Sequence, residues 1–292
     1  MGLLYADVRN LIEHFRSESE GKRILTLGRL SVRLHPSEIR RLKKLVSDDR
    51  DACAYLDTYQ WGEYAERIFK ELFKCAAVES LDFSDYQGAS IVQDMQLPVP
   101  EVHWEKYDLV FDGGTLEHVF NLPQALANII RLAKVGGLVY TNSPCNNLGG
   151  HGFYQFSPEL MFRVMSSDNG MSILMNRIGI GDFPAVENSS CHPVYAVTDP
   201  AKFRDRVGLQ TSKPVYMMTL SRKLSAVPVF ESPVLQSDYA IRWNNEDGPP
   251  RKKSLKGKIF RRLPAPLQLL AAGHWEKRFF SLKNAQFYRR LW

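Results

Sequence analysis

Between residues 78 and 141, short apolar runs alternate with apolar residues at helical spacing, and most of the runs end on an acid or a glycine. Val78 to Asp82, Ile91-Val92 into Asp94, and Tyr107 to Phe111 into Asp112-Gly113-Gly114 read as strands. A strand covered on both faces carries near-continuous hydrophobic residues, as these do. Leu122, Leu126, Ile129, Ile130 and Ala133 then mark a helix closed by Val135-Gly136-Gly137, and Leu138 to Thr141 is a further strand. Strands alternating with helices predict an α/β fold, a mostly parallel sheet with helices on both faces.

The flanking segments extend this rhythm. Leu4, Val8, Leu11, Ile12 and Phe15 fall on one helix face, and Ile24 to Leu27 reads as a buried strand ending at Gly28. Residues 30–60 are charged and irregular, with a basic cluster Arg40-Arg41-Leu42-Lys43-Lys44, and are expected to be an insertion. Tyr64, Ile68, Phe69, Leu72 and Phe73 place a helix at about 61–74. Ser157-Pro158-Glu159 is a helix start with a capping hydroxyl, proline in the first turn and an acid at the positive dipole end. Strands are expected at Ile173 to Ile180 and Pro214 to Ser221, with a short helix near Ala201 to Val207. Residues 1–223 thus form one domain, 224–250 a linker containing Gly248-Pro249-Pro250, and 251–292 a C-terminal extension.

Charge sets that extension apart. From Pro249 to Trp292 there are 12 Lys and Arg against one acid, Glu276, a balance of +11 that leaves −5 on the rest of the chain. Phe260, Trp275, Phe279, Phe280, Phe287, Tyr288 and Trp292 are interleaved with those bases. This composition suits an anionic membrane surface. It also suits nucleic acid, the less favoured partner, and the rings could instead pack back on the body. No run reaches the roughly 18–20 apolar residues of a membrane span, and the start lacks a secretory pattern. A cytoplasmic protein is expected, peripheral to a membrane if the extension meets one. Cys53, Cys75, Cys145 and Cys191 are scattered, which favours reduced thiols over disulfides; no metal site is expected from them.

Open parallel sheets bind ligands beyond the C-terminal ends of the strands, where strand order reverses. Gly28-Arg29, Asp82-Phe83-Ser84, Asp94-Met95 and Asp112-Gly113-Gly114-Thr115-Leu116-Glu117-His118 would all collect on that rim. A carboxylate at Asp82 can accept both hydroxyls of a ribose. Asp94 can accept from an adenine amino group with Met95 against the ring, and Gly28, Gly113 and Gly114 let backbone approach a ligand closely.

The run from Tyr107 to Val119, Leu122-Pro-Gln-Ala-Leu126 and Lys134-Val-Gly-Gly-Leu-Val139 resemble the class I S-adenosylmethionine-dependent methyltransferases, whose fold is Rossmann-like. More narrowly they are similar to a bacterial small-molecule and glycan-pathway group with Leu-Glu-His-Val after the fourth strand. Gly150 to Leu160 resembles a bacterial methyltransferase-like subgroup. The resemblance covers about residues 23–222 and is specific from 78 to 160. It implies S-adenosylmethionine as cofactor, with ribose at Asp82 beside Phe83, adenine at Asp94 and Met95, and the methionine part along Gly28. Asp112, Gly113 and Gly114 would line the pocket.

The first loop departs from the family's acid followed by G-x-G-x-G. It reads Thr26-Leu27-Gly28-Arg29-Leu30-Ser31-Val32, with Thr26 in place of the acid that holds the methionine amino group. Arg29 could bind the methionine carboxylate instead. A base for an oxygen acceptor is sought at His118 and His151, the latter in a glycine-flexible, aromatic loop, with Tyr154 and Gln155 orienting the substrate. Alternatively His118 only opens a helix, with Glu117 in water. The expected activity is methyl transfer, as an O-methyltransferase, to a small hydroxylated acceptor such as a sugar or lipid-linked glycan. The alternative is a methyltransferase fold that has lost catalysis and serves as a scaffold. No G-x-G-x-x-G follows the first strand, which argues against a nicotinamide-dependent dehydrogenase.

Overall fold

The computed structural model describes residues 2–182, 192–203, 206–243 and 264–292. The chain enters through β1 (Leu3–Leu4) and α1 (Tyr5–His14), then passes β2 (Arg23–Leu27) and β3 (Val32–Arg33). Three helices follow, α2 (Pro36–Leu45), α3 (Arg50–Thr58) and α4 (Ala65–Glu71), then β4 (Ala77–Asp82), β5 (Ile91–Val92) and β6 (Tyr107–Asp112). Helix α5 (Leu122–Leu132) leads to β7 (Ala133–Asn146), and α6 (Pro158–Val164) leads to β8 (Met171–Ile180). The remainder comprises β9 (Val194–Val197), β10 (Val215–Lys223), α7 (Ser237–Trp243), α8 (Ala265–Phe279) and β11 (Tyr288–Arg290).

Nine strands form one sheet in the order β11-β9-β8-β10-β7-β6-β2-β4-β5. The pairings from β5 to β7 are parallel and those from β7 to β11 antiparallel. The sheet is therefore mixed, not mostly parallel as the sequence suggested. A parallel return needs a crossover helix; between β8 and β10 the described chain has β9 and a single 3-10 turn, Pro200–Phe203. In the parallel half the chain moves outward from β2 to β4 to β5, then returns to lay β6 on the other side of β2. The reversal point between β2 and β6 is where an α/β sheet opens a crevice.

Side chains alternate across the sheet and divide the core into two layers. Ile24, Leu109, Phe111, Leu138 and Tyr140 face the layer that holds α1, α2, α3 and α4, whereas Leu25, Val110 and Val139 face α5 and α6. Helices on both faces are thus present. The expected insertion at 30–60 is ordered as β3, α2 and α3. Glu38 accepts a hydrogen bond from the His35 amide at 2.8 Å and Pro36 opens α2, while Leu42 is buried and its basic neighbours stay outside. Strand β3 pairs with β1, which ties the N-terminus to the loop after β2.

The described part of the C-terminal extension packs on the body. Strand β11 pairs antiparallel with β9 as the sheet's edge, Phe287 and Tyr288 are buried, and the Trp292 ring lies 3.9 Å from the Arg9 guanidinium. Helix α7 falls inside the expected linker and is anchored by Ser237, whose amide and hydroxyl donate to Glu159. Residues 244–263, including most of the basic run and Phe260, lie outside the described residues. Cys53, Cys75 and Cys145 are free thiols; Cys191 is outside the described residues.

Candidate active site

Gly28 ends β2 with φ +73°, a left-handed conformation that glycine adopts without steric cost. A methyl group there would lie 3.8 Å from the Asp82 carboxylate and 3.6 Å from the Thr115 hydroxyl. The ends of β2, β4 and β6 therefore converge over the reversal point. Asp82 is half-buried and uses one oxygen to accept the Phe83 amide at 2.7 Å, while the Phe83 ring is exposed. Asp82 pairs in register with Val92, and its carbonyl accepts from the Gln93 amide, so Asp94 leaves the adjacent strand on the same rim. The Asp94 carboxylate accepts from the Gln96 amide at 2.8 Å and so also caps its own turn.

Several other expected contacts are committed elsewhere. The Arg29 side chain donates to Glu66 at 2.7 Å and to the Gln87 carbonyl at 2.8 Å, and it stacks on Tyr64. That engagement occupies its Nε and Nη1 donors. Met95 is buried in the α5-side core with its carbonyl held by Asn128, so its side chain packs inward instead of lying on the rim. Thr26 donates its hydroxyl to the Gly28 carbonyl at 2.8 Å. At Gly113 a methyl group would meet the Leu30 side chain at 2.9 Å. Leu30 already fills the space beside Gly113.

Asp112 organises the loop after β6. It is buried and accepts the Gly114 and Thr115 amides at 3.2 and 2.8 Å. Thr115 in turn donates its hydroxyl to the Leu27 carbonyl, binding the β6 loop to the end of β2. A 3-10 turn, Leu116–His118, brings Glu117 inward. Contrary to the reading that left it in water, Glu117 is fully buried, and neither carboxylate oxygen has a hydrogen-bond partner among the described residues. Burial first, and then the nearby Asp112 charge, hold its carboxyl well above the usual carboxylate range.

Both candidate histidines meet Glu117. Its Oε1 lies 3.5 Å from Nε2 of His151 and 4.0 Å from Nε2 of His118, and the two imidazole rings are 5.2 Å apart. The histidine loop is locked to the same turn, because the Glu117 carbonyl accepts the Phe153 amide at 2.8 Å and the Tyr154 amide at 3.3 Å. Gly152, at φ +79°, allows that approach; a methyl group there would lie 2.8 Å from the same carbonyl. Tyr154 donates its hydroxyl to the Phe120 carbonyl at 2.7 Å and Gln155 accepts from the Leu148 amide, so both hold the loop. The exposed Phe120 and Phe153 rings meet edge to face at the outer side of this turn, which forms the mouth of the candidate site.

Sequence reading put Thr115 and Glu117 on the rim but gave neither a role in the site. Thr115 gave no signal, whereas the buried character of Glu117 could have been sought in the apolar Leu116 and Val119 around it.

No protein-family model and no curated protein sequence matches this chain. Solved structures that match include a candidate methyltransferase of Bacillus halodurans C-125, at 9% identity over 74% of this chain and 98% of that one, TM-score 0.43. Another is 1,6-didemethyltoxoflavin-N1-methyltransferase of Burkholderia thailandensis with bound 1,6-didemethyltoxoflavin and S-adenosylhomocysteine, at 11% identity over 76% and 84%, TM-score 0.36. A SAM-dependent methyltransferase of Aquifex aeolicus matches at 12% identity over 73% and 89%, TM-score 0.34. Likeness at this level assigns neither a substrate nor a reaction to this chain.

Proposed function

We propose that the chain is an S-adenosylmethionine-dependent methyltransferase acting on a small hydroxylated acceptor. The observation that carries the reading is the approach of the Asp82 carboxylate and the Thr115 hydroxyl to Gly28 at the reversal point of the sheet. A carboxylate there can accept both ribose hydroxyls, and Asp94 on the neighbouring strand end would accept from the adenine amino group. Bound S-adenosylmethionine would supply an activated methyl group on a sulfonium. The chain's own contribution is then mainly positioning, which can account for several orders of magnitude in rate. Glu117, His118 and His151 would polarise the acceptor oxygen, and Phe120 and Phe153 would shield the mouth. An acceptor that is a sugar, methylated at oxygen, agrees with the histidines and is part of the proposal. So is contact with an anionic membrane surface, supported by Leu269 and Leu270, exposed on α8.

A second reading has its own support. Leu30 packed against Gly113, and Thr26 in place of an acid, leave the methionine end of the cofactor with less room and no evident partner for its amino group. A methyltransferase fold that has lost catalysis and serves as a binding or scaffold protein would have these features.

Calorimetric titration with S-adenosylhomocysteine, followed by transfer of labelled methyl from S-adenosylmethionine to a panel of sugars, tests both. Binding with transfer supports the first reading and binding without transfer the second. No heat at high micromolar ligand would remove the first reading and leave the scaffold reading standing.

A further inference from the structure

We propose that Glu117, His118 and His151 form a binding site for one divalent transition ion of the zinc class. Each residue offers one ligand atom, and the three atoms lie within 4.8 Å of one another. Two donors bound to a common ion at about 2.0–2.2 Å stand roughly 3–3.5 Å apart in tetrahedral geometry. The 3.5 Å between Glu117 Oε1 and His151 Nε2 already meets that spacing. His118, at 4.0 Å and on a half-exposed side chain, has to close by about half an ångström.

The buried carboxylate points to a ligand. Glu117 is 0% exposed, and neither oxygen accepts a hydrogen bond among the described residues. A buried carboxylate left without a partner is strongly disfavoured. Both imidazole Nε2 atoms approach the same carboxylate oxygen, the convergence that a shared ion requires.

The backbone is organised to hold this geometry. The turn carrying Glu117 and His118 and the loop carrying His151 are fastened by two amides on the Glu117 carbonyl, with Gly152 pressed against it. Two imidazole nitrogens and one carboxylate oxygen suit zinc, cobalt, nickel or iron(II) better than magnesium or calcium, which favour oxygen-only shells. Three protein ligands leave a coordination position open, and the partial exposure of both histidines turns it toward the mouth. An ion there could polarise an acceptor oxygen as a Lewis acid. The site uses neither Asp82 nor Gly28, so it stands independently of the adenosyl reading.

Cobalt(II) titration of the untagged full chain, followed by visible absorption and by competition with zinc, tests the site. Uptake of one equivalent is expected, with the d–d bands of a low-coordinate ion that zinc abolishes. Glu117→Gln, His118→Ala and His151→Asn should each weaken uptake by about tenfold or more. His118→Ala alters a half-exposed side chain and keeps the test usable should Glu117→Gln fail to fold. Asp82→Ala should bind cobalt normally while losing S-adenosylhomocysteine, which separates failure of this site from failure of the adenosyl pocket. Absence of uptake by folded wild-type protein at submillimolar cobalt, or equal uptake by wild type and the histidine variants, would overturn the proposal.

Discussion

At the scale of single residues, glycines and acids at strand ends decide what the rim can do. Gly152 is the most exacting position in the histidine loop, since its positive φ and its contact with the Glu117 carbonyl both exclude a side chain. Gly152→Ala should cost about 1–3 kcal/mol in denaturant unfolding and displace His151. Wild-type stability in that variant would mean the loop is not fastened there. The rim glycines and Asp82 were legible in the sequence, because small residues and acids recur wherever a buried strand meets a turn. Glu117 was not. A carboxylate beside a histidine at the start of a helical turn ordinarily stays in water, and only the tertiary fold reveals that loop 148–156 closes over it.

At the scale of elements, α1 is pinned to the sheet by a buried polar network. Asp7 accepts the Tyr140 hydroxyl, the Asn142 amide and the Leu4 amide, each at 2.8 Å. Burial outweighs these hydrogen bonds and raises its carboxyl from 3.8 to about 6. Because the folded pKa lies above the unfolded one, the group's contribution is complete below about pH 4 and is lost as pH rises through 6. The loss amounts to about 3 kcal/mol. Unfolding free energies of wild type and Asp7→Asn should therefore converge or cross between pH 4 and 6. A difference that does not change with pH would contradict this. Leu30 gives the second expectation at this scale. Leu30→Ala should lower stability by about 2–4 kcal/mol while tightening S-adenosylhomocysteine binding, because it opens the space beside Gly113. Unchanged affinity would show that Leu30 does not obstruct the ligand. The alternation from 78 to 141 was readable because each strand there is a compact apolar run. Helices α2 and α3 were obscured by basic and acidic residues on their outer faces, and the apolar side that packs inward is short.

On the scale of the whole molecule, the two chain ends meet. Trp292 lies against Arg9 of α1 and 5.3 Å from the Arg177 guanidinium of β8, while Arg177 forms a two-point ion pair with Glu13. Trp292→Ala should lower the unfolding midpoint by the equivalent of about 1–3 kcal/mol, whereas a merely appended tail would leave it unchanged. Tyr288-Arg289-Arg290 read as part of a basic tail, yet charged residues are also how a sheet edge avoids pairing with another chain. That double meaning hid β11, and the four-residue β9 gave no period to count. The mixed sheet was hidden for the same reason, since short apolar runs do not state their direction. The central claim concerns the parallel half, where Asp82 is proposed to accept ribose hydroxyls. Its most direct test is calorimetric comparison of S-adenosylhomocysteine with its 2′,3′-dideoxyribose analogue on wild type and Asp82→Ala. Wild type should prefer the hydroxylated ligand by about ten- to a hundredfold, and the variant should bind both equally weakly. Equal affinity of the two ligands for wild type would contradict the assignment.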